Sequence, residues 1–211
     1  MSRTFGTRDK ISRALRLSGI VPSLNPALKR KVFGIGLNKT GTKSLGAALS
    51  ALGYRVCSWD WRGAEFTMQW HEKRFTRDMG RVLEAYDAFE DLPWPLLFEQ
   101  LDQREPDALF VLTVRESPER WLSSIQRHIA REPTWVGHYL IYGSYDPGTD
   151  AELYLSMYRR HVERVTAHFA DRPGKLLVLC MDRGEGWAEL AHFVGARRVP
   201  TRPFPHLGLH G

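Results

Sequence analysis

Between Lys31 and Leu45 the chain reads Lys-Val-Phe-Gly-Ile-Gly-Leu-Asn-Lys-Thr-Gly-Thr-Lys-Ser-Leu. An apolar strand runs straight into a glycine-containing turn and then into an apolar helix. That order aims successive backbone N–H groups and a helix N-terminus at one point, which is the chemistry for binding phosphate or sulfate oxygens. Gly36 and Gly41 permit the tight backbone, Lys39 adds a mobile positive charge, and Thr42 and Ser44 offer hydroxyls. The dinucleotide fingerprint G-x-G-x-x-G fails, because Lys39 stands where the third glycine belongs. The Walker pattern G-x-x-x-x-G-K-[ST] nearly fits from Gly36 to Gly41, but Thr42 takes the lysine position and the lysines fall at 39 and 43.

The elements that must position this loop are legible around it. Short apolar runs lie at Val32–Gly36, Tyr54–Ser58, Asp87–Asp91, Leu109–Val114 and Lys175–Cys180. Four of them are continuous rather than alternating, as strands covered on both faces are. Helix-like stretches separate them, over 42–52, 64–85 (broken), 94–104, 117–131, 151–170 and 186–194. Strands alternating with helices imply an α/β fold, a parallel sheet of about five strands flanked by helices. Gly53 suits the end of the first helix, and Ser117-Pro118 opens another with an N-cap serine. The stretch 132–149, with Trp135, Tyr139, Tyr142 and Tyr145, reads as an elaborated loop. The proline-rich tail from Arg197 reads as extended.

The order Lys39-Thr-Gly-Thr42 resembles the 5′-phosphosulfate loop of sulfotransferases, P-K-[ST]-G-T-[TS]. The bacterial sulfotransferase-like group has G-x-x-K-[TS]-G-T-[TS]-S-L, from which Gly36–Leu45 departs only at Lys43. Tyr86–Pro93 and Pro203-Phe-Pro-His206 are similar to that group's third strand and C-terminus, so the resemblance covers about residues 31–207. It implies a P-loop NTPase-like sulfotransferase architecture over 31–211, with residues 1–30 as a separate basic arm. It also implies transfer of a sulfuryl group from 3′-phosphoadenylyl sulfate (PAPS) to a hydroxyl or amine, releasing 3′,5′-ADP. The donor is the co-substrate and no metal is required. Donor binding would fall to Asn38, Lys39, Thr40, Gly41, Thr42, Lys43 and Ser44. Lys39 would also act catalytically, beside the bridging oxygen where negative charge grows.

In sulfotransferases an arginine at a strand end and a serine eight positions on hold the donor's 3′-phosphate, and Arg115 and Ser123 match that spacing. An arginine leaving the C-terminal end of a parallel strand sits where open α/β sheets bind ligands, and its planar fork suits phosphate. The acceptor must lose a proton, so a general base is expected. Asp91 is the first candidate and Glu90 the second, both ending the third strand. Asp91 as a mere cap of the next helix is the competing reading. Asp87 starts that strand and belongs to the wrong end, and His71 is a distant alternative. The aromatic loop would serve as a lid for a small-molecule or carbohydrate acceptor, or simply pack on the body.

Composition bounds the rest. The chain has 211 residues and a formal charge of +6. Eight basic residues and one acid lie in residues 1–31, so the basic character belongs to the arm and the body is balanced. Such an arm suits peripheral contact with an anionic membrane, or is a solvated or packed segment. No aromatic stacking pattern accompanies it, so no nucleic-acid partner is expected. Cys57 and Cys180 make neither a disulfide framework nor a zinc site. No apolar run approaches the roughly 20 residues that span a bilayer, and the expectation is a cytoplasmic protein. A P-loop kinase or NTPase, with Asp182 as magnesium ligand, and a non-catalytic nucleotide-binding relative are the alternatives.

Overall fold

The computed structural model describes residues 30–207 apart from 60 and 132–134. The basic arm, except Arg30 and Lys31, therefore lies outside the described residues. Five strands form one all-parallel sheet: β1 (Val32–Gly34), β2 (Val56–Cys57), β3 (Ala88–Phe89), β4 (Leu109–Thr113) and β5 (Leu176–Leu179). Their order is β2-β3-β1-β4-β5. β1, which feeds the glycine loop, is thus central, with β3 and β4 on either side.

Among the described residues, eight α-helices accompany the strands: α1 (Thr42–Ala51), α2 (Trp61–His71), α3 (Arg77–Ala85), α4 (Phe98–Arg104), α5 (Pro118–Ile129), α6 (Val136–Tyr142), α7 (Ala151–Phe169) and α8 (Trp187–Val194). Because side chains alternate across a strand, the sheet buries two different faces. Phe33, Phe89 and Phe110 stack across three neighbouring strands, with ring centroids 4.8 and 5.5 Å apart, and pack with residues of α3, α4 and α7. Val32, Ala88, Leu109 and Val111 face the other way, onto Leu45 and Leu49 of α1 and Leu190 of α8. A third cluster joins Leu37 and Leu92 to Trp121, Ile125, Ile141, Tyr142, Tyr154 and Tyr158, and so ties α5, α6 and α7 to the loops leaving β1 and β3.

The expected break in 64–85 falls between α2 and α3. Lys73 turns the chain at φ 56°, and the Thr76 hydroxyl caps α3 by accepting from the Met79 amide. Lys31 closes the other end of α3, donating to the carbonyls of Leu83 (2.7 Å) and Tyr86 (3.1 Å). The stretch 132–149 is not all loop. Within it, α6 buries His138, Ile141 and Tyr142 and ends at Gly143 with φ 78°. Tyr139 and Tyr145 stay exposed and stack on each other at 5.4 Å. No helix among the described residues is long and apolar enough to cross a membrane.

Candidate active site

The loop from β1 to α1 is held from below. Thr40 Oγ1 donates to the Leu37 carbonyl and shares a 2.6 Å hydrogen bond with Thr113 Oγ1 on β4. A Cβ on Gly36 would stand 2.0 Å from that Thr113 hydroxyl and 2.4 Å from the Thr113 carbonyl oxygen, so only glycine fits there. Asn38 is an anchor as well: its carbonyl accepts from the Trp121 indole N–H at 2.9 Å, and its side-chain oxygen accepts from the Tyr142 hydroxyl. Asn38, Thr40, Thr42 and Ser44 are buried, Lys39 is half-buried and Lys43 is exposed.

Lys39 itself has φ 69° and Gly41 φ 102°. A left-handed conformation costs an L-residue about 1–2 kcal/mol and is uncommon outside glycine. Gly41 is the N-cap of α1, and no side chain caps that turn or places an acid in it. The first amides of α1, with the positive end of the helix dipole, thus face the loop mouth with no acid in that turn and no side-chain cap. Burial lowers the Lys39 pKa, and the neighbouring charges of Lys43, Arg115 and Arg127 lower it further, while Asp91 pulls it up. Lys39 thus has three further cations and one carboxylate within electrostatic reach.

Arg115 follows β4, as expected. Its amide donates to the Tyr158 hydroxyl at 3.0 Å. Its Nε lies 3.0 Å from Asp182 Oδ2, as a charge contact without hydrogen-bond alignment. The same carboxylate accepts from the Glu116 amide at 3.0 Å and lies 3.5 Å from Arg120 Nε. Asp182 stands in a short 3₁₀ turn past β5, where two arginines already claim it. Ser123 is exposed on α5, two residues beyond the Trp121 pin. Arg127 is one helical turn further on the same face, and its only sequence signal was that i,i+4 relation to Ser123.

Glu90 and Asp91 leave β3 beside α1. Glu90 is 1% exposed. Its Oε1 accepts from the Ser58 hydroxyl, and its Oε2 is buried without a hydrogen-bond partner. A Cβ on Gly46 of α1 would come within 3.0 Å of Glu90 Cγ, so the helix backbone lies directly on this side chain. Burial first, then the charge of Asp91, raise the Glu90 pKa to about 8. Asp91 is also raised by burial, against the opposing pull of the Leu92 amide, Lys43, Lys39 and Thr42. It has φ 68°, and its Oδ1 accepts from the Leu92 amide at 2.9 Å. Asp87 is elsewhere: it pairs with Arg55 through two 2.8 Å contacts at the start of β3. His71 ends α2, away from these contacts.

Two further contacts near the loop carried no sequence signal. The Ser44 hydroxyl accepts from the Leu207 amide at 2.8 Å, fastening the tail to the first turn of α1. Met181, next to Asp182, packs over Gly41, where an added Cβ would meet its Cε at 2.4 Å.

Comparison with known proteins agrees with this architecture. The profile of the sulfotransferase domain matches residues 31–148 and 138–209. The chain is also 29% identical over 118 residues to Ava biosynthesis cluster protein M of Aspergillus versicolor, a match covering 50% of this chain and 45% of that protein. It thus spans less than half of that relative's length. The central strand, glycine loop and flanking helices all lie within the matched residues, and the chain belongs to the sulfotransferase-domain family.

Proposed function

We propose that the protein transfers a sulfuryl group from 3′-phosphoadenylyl sulfate to a hydroxyl or amine of a small-molecule or carbohydrate acceptor. The three cations Lys43, Arg115 and Arg127 within electrostatic reach of Lys39, together with the uncapped first turn of α1, carry this reading. A nucleotide bearing phosphates at both ends needs such a spread of positive charge. In this reading the α1 amides and the Thr42 hydroxyl receive the 5′-phosphate oxygens, and Arg115 with Ser123 receives the 3′-phosphate. Arg127 stands one turn from Ser123 and adds to that second site.

Sulfuryl transfer resembles phosphoryl transfer, in which positioning and charge stabilisation supply most of the rate. Lys39 has the position to meet charge growing on the leaving nucleotide. Its pKa is lowered first by burial and then by neighbouring cations, and an incoming anion would offset both. Asp91, at the mouth and within electrostatic reach of Lys39 and Lys43, takes the acceptor proton. The tyrosine pair of α6 and its following loop offers an amphipathic surface for the acceptor.

Calorimetry with 3′,5′-ADP in the absence of magnesium tests the reading. Magnesium-independent binding is expected, together with loss of sulfuryl transfer in Lys39→Ala across an acceptor panel. Binding of ATP–Mg²⁺ with no response to 3′,5′-ADP would replace it with a kinase or NTPase. Binding of 3′,5′-ADP without transfer to any acceptor would leave a nucleotide-binding relative without catalysis.

A further inference from the structure

Glu90 and Asp91 are adjacent carboxyls, yet their surroundings differ. Glu90 is enclosed by Gly34 and Gly46 backbone, Ser58 and Thr42. No cation stands in contact with it among the described residues; Lys43, exposed on α1, acts on it only at a distance. Asp91 is half-buried, with the Leu92 amide on Oδ1 and both Lys39 and Lys43 within electrostatic reach. The Thr42 hydroxyl lies close enough to act on both carboxyls. A buried carboxylate without a paired cation is costly, and two neighbouring carboxylates do not both ionise readily.

The hydrogen-bonding pattern around Glu90 favours a neutral carboxyl. Glu90 Oε1 is an acceptor, since Ser58 donates to it. Oε2 is buried with nothing donating to it. An ionised oxygen in that place would be a bare buried charge, whereas protonation removes the charge and leaves only a neutral polar atom there.

We propose that Glu90 is kept as a neutral carboxylic acid against the first turns of α1, which leaves Asp91 as the only charged member of the pair. Glu90 is then not the general base. Loss of its proton places a negative charge directly under the anion cradle, so the site becomes a pH-sensitive one. Groups that titrate or carry charge around it are Asp91, Lys43 and Lys39, with Ser58 and Thr42 as hydrogen-bonding neighbours.

The effect on nucleotide affinity rests on the donor reading above; the protonation state of Glu90 does not. Two measurements separate them. Infrared difference spectroscopy at pH 7 between the wild type and Glu90→Gln should show a protonated-carboxyl C=O band missing from the variant. Loss of that band in Asp91→Asn instead, or no such band, overturns the proposal. Titration with 3′,5′-ADP from pH 7 to 9 should give similar affinities for wild type and Glu90→Gln at pH 7, within about threefold. The affinity ratio should then open in favour of the variant as pH passes 8, by up to about tenfold per pH unit for one proton. Taking the ratio cancels the shared titration of Lys39 and Lys43. A ratio constant with pH, or a Glu90→Gln protein as inactive as Asp91→Asn, overturns the proposal. Should 3′,5′-ADP not bind either protein, the donor reading falls and the infrared result still decides the state of Glu90. Ser58→Ala gives a variant with the carboxyl retained: the band should persist and shift as its Oε1 partner is removed, and an unmoved band counts against the proposal.

Discussion

At the scale of single residues, the site is built from side chains kept in unfavourable states. Lys39 and Asp91 both hold positive φ, and both face the same mouth. Backbone strain of this kind persists only where surrounding contacts over-determine it. Here the Thr40–Thr113 and Asn38–Trp121 hydrogen bonds hold the loop beside Lys39. Arg115 is held in place by its neighbours: Asp182 takes its Nε side, and the Glu116 amide fixes Asp182. Arg115→Ala should weaken 3′,5′-ADP binding by about 1.5–3 kcal/mol, the worth of a charged hydrogen bond. It also leaves Asp182 facing the site with one cation fewer, which pushes the effect toward the upper end. Calorimetry of the variant measures this, and unchanged affinity would remove Arg115 from the 3′-phosphate site.

At the scale of elements, α5 is pinned to the loop by one hydrogen bond between the Trp121 indole and the Asn38 carbonyl. This contact carries Ser123 and Arg127 along with it. Trp121→Phe keeps most of the apolar packing against Tyr142, Tyr154 and Tyr158 but leaves the buried Asn38 carbonyl without its donor. The expected loss is about 1–3 kcal/mol of stability, read by urea denaturation, with weaker 3′,5′-ADP binding as α5 loosens. The strands and most helices were legible in the sequence because their signals are local: continuous apolar runs, a serine–proline helix start, a glycine after α1. The loop was legible for the same reason, since its glycines and cations are contiguous. α6 was not, because it is short, aromatic and followed by Gly143, Pro147 and Gly148, which read as loop chemistry. The Arg115–Asp182 pair, the place of Arg127 and the Ser58–Glu90 contact were not legible either. Each joins residues from separate elements, and only the packed sheet decides which side chains meet.

At the scale of the whole molecule, buried ionisable groups set opposing demands on pH. His161, whose Nε2 meets the Ile35 carbonyl at 2.7 Å, and His138 are both lowered to about 4 by burial. Between about pH 4 and 6.5 the unfolded chain takes up protons that these folded histidines refuse, so their contribution to stability rises with pH. Glu90 acts in the reverse sense. Its folded pKa, raised to about 8, gives stability that is whole below about 4.5 and is lost as pH climbs through 8. From 6.5 to 8 the histidines fall silent while Glu90 continues to release its proton on unfolding. Urea denaturation should therefore show stability declining over that interval, and Glu90→Gln should flatten the decline. An equal slope in the two proteins would contradict the burial assigned to Glu90.

The bond between Leu207 and Ser44 joins residues 163 positions apart. β1 likewise waits for β3 and β4 before either of its edges is paired. During synthesis the glycine loop is thus spelled out early and completed late. A nascent chain shorter than about 110 residues has no β4 to support the turn at Gly36, and the latch on α1 closes only once residue 207 has been added.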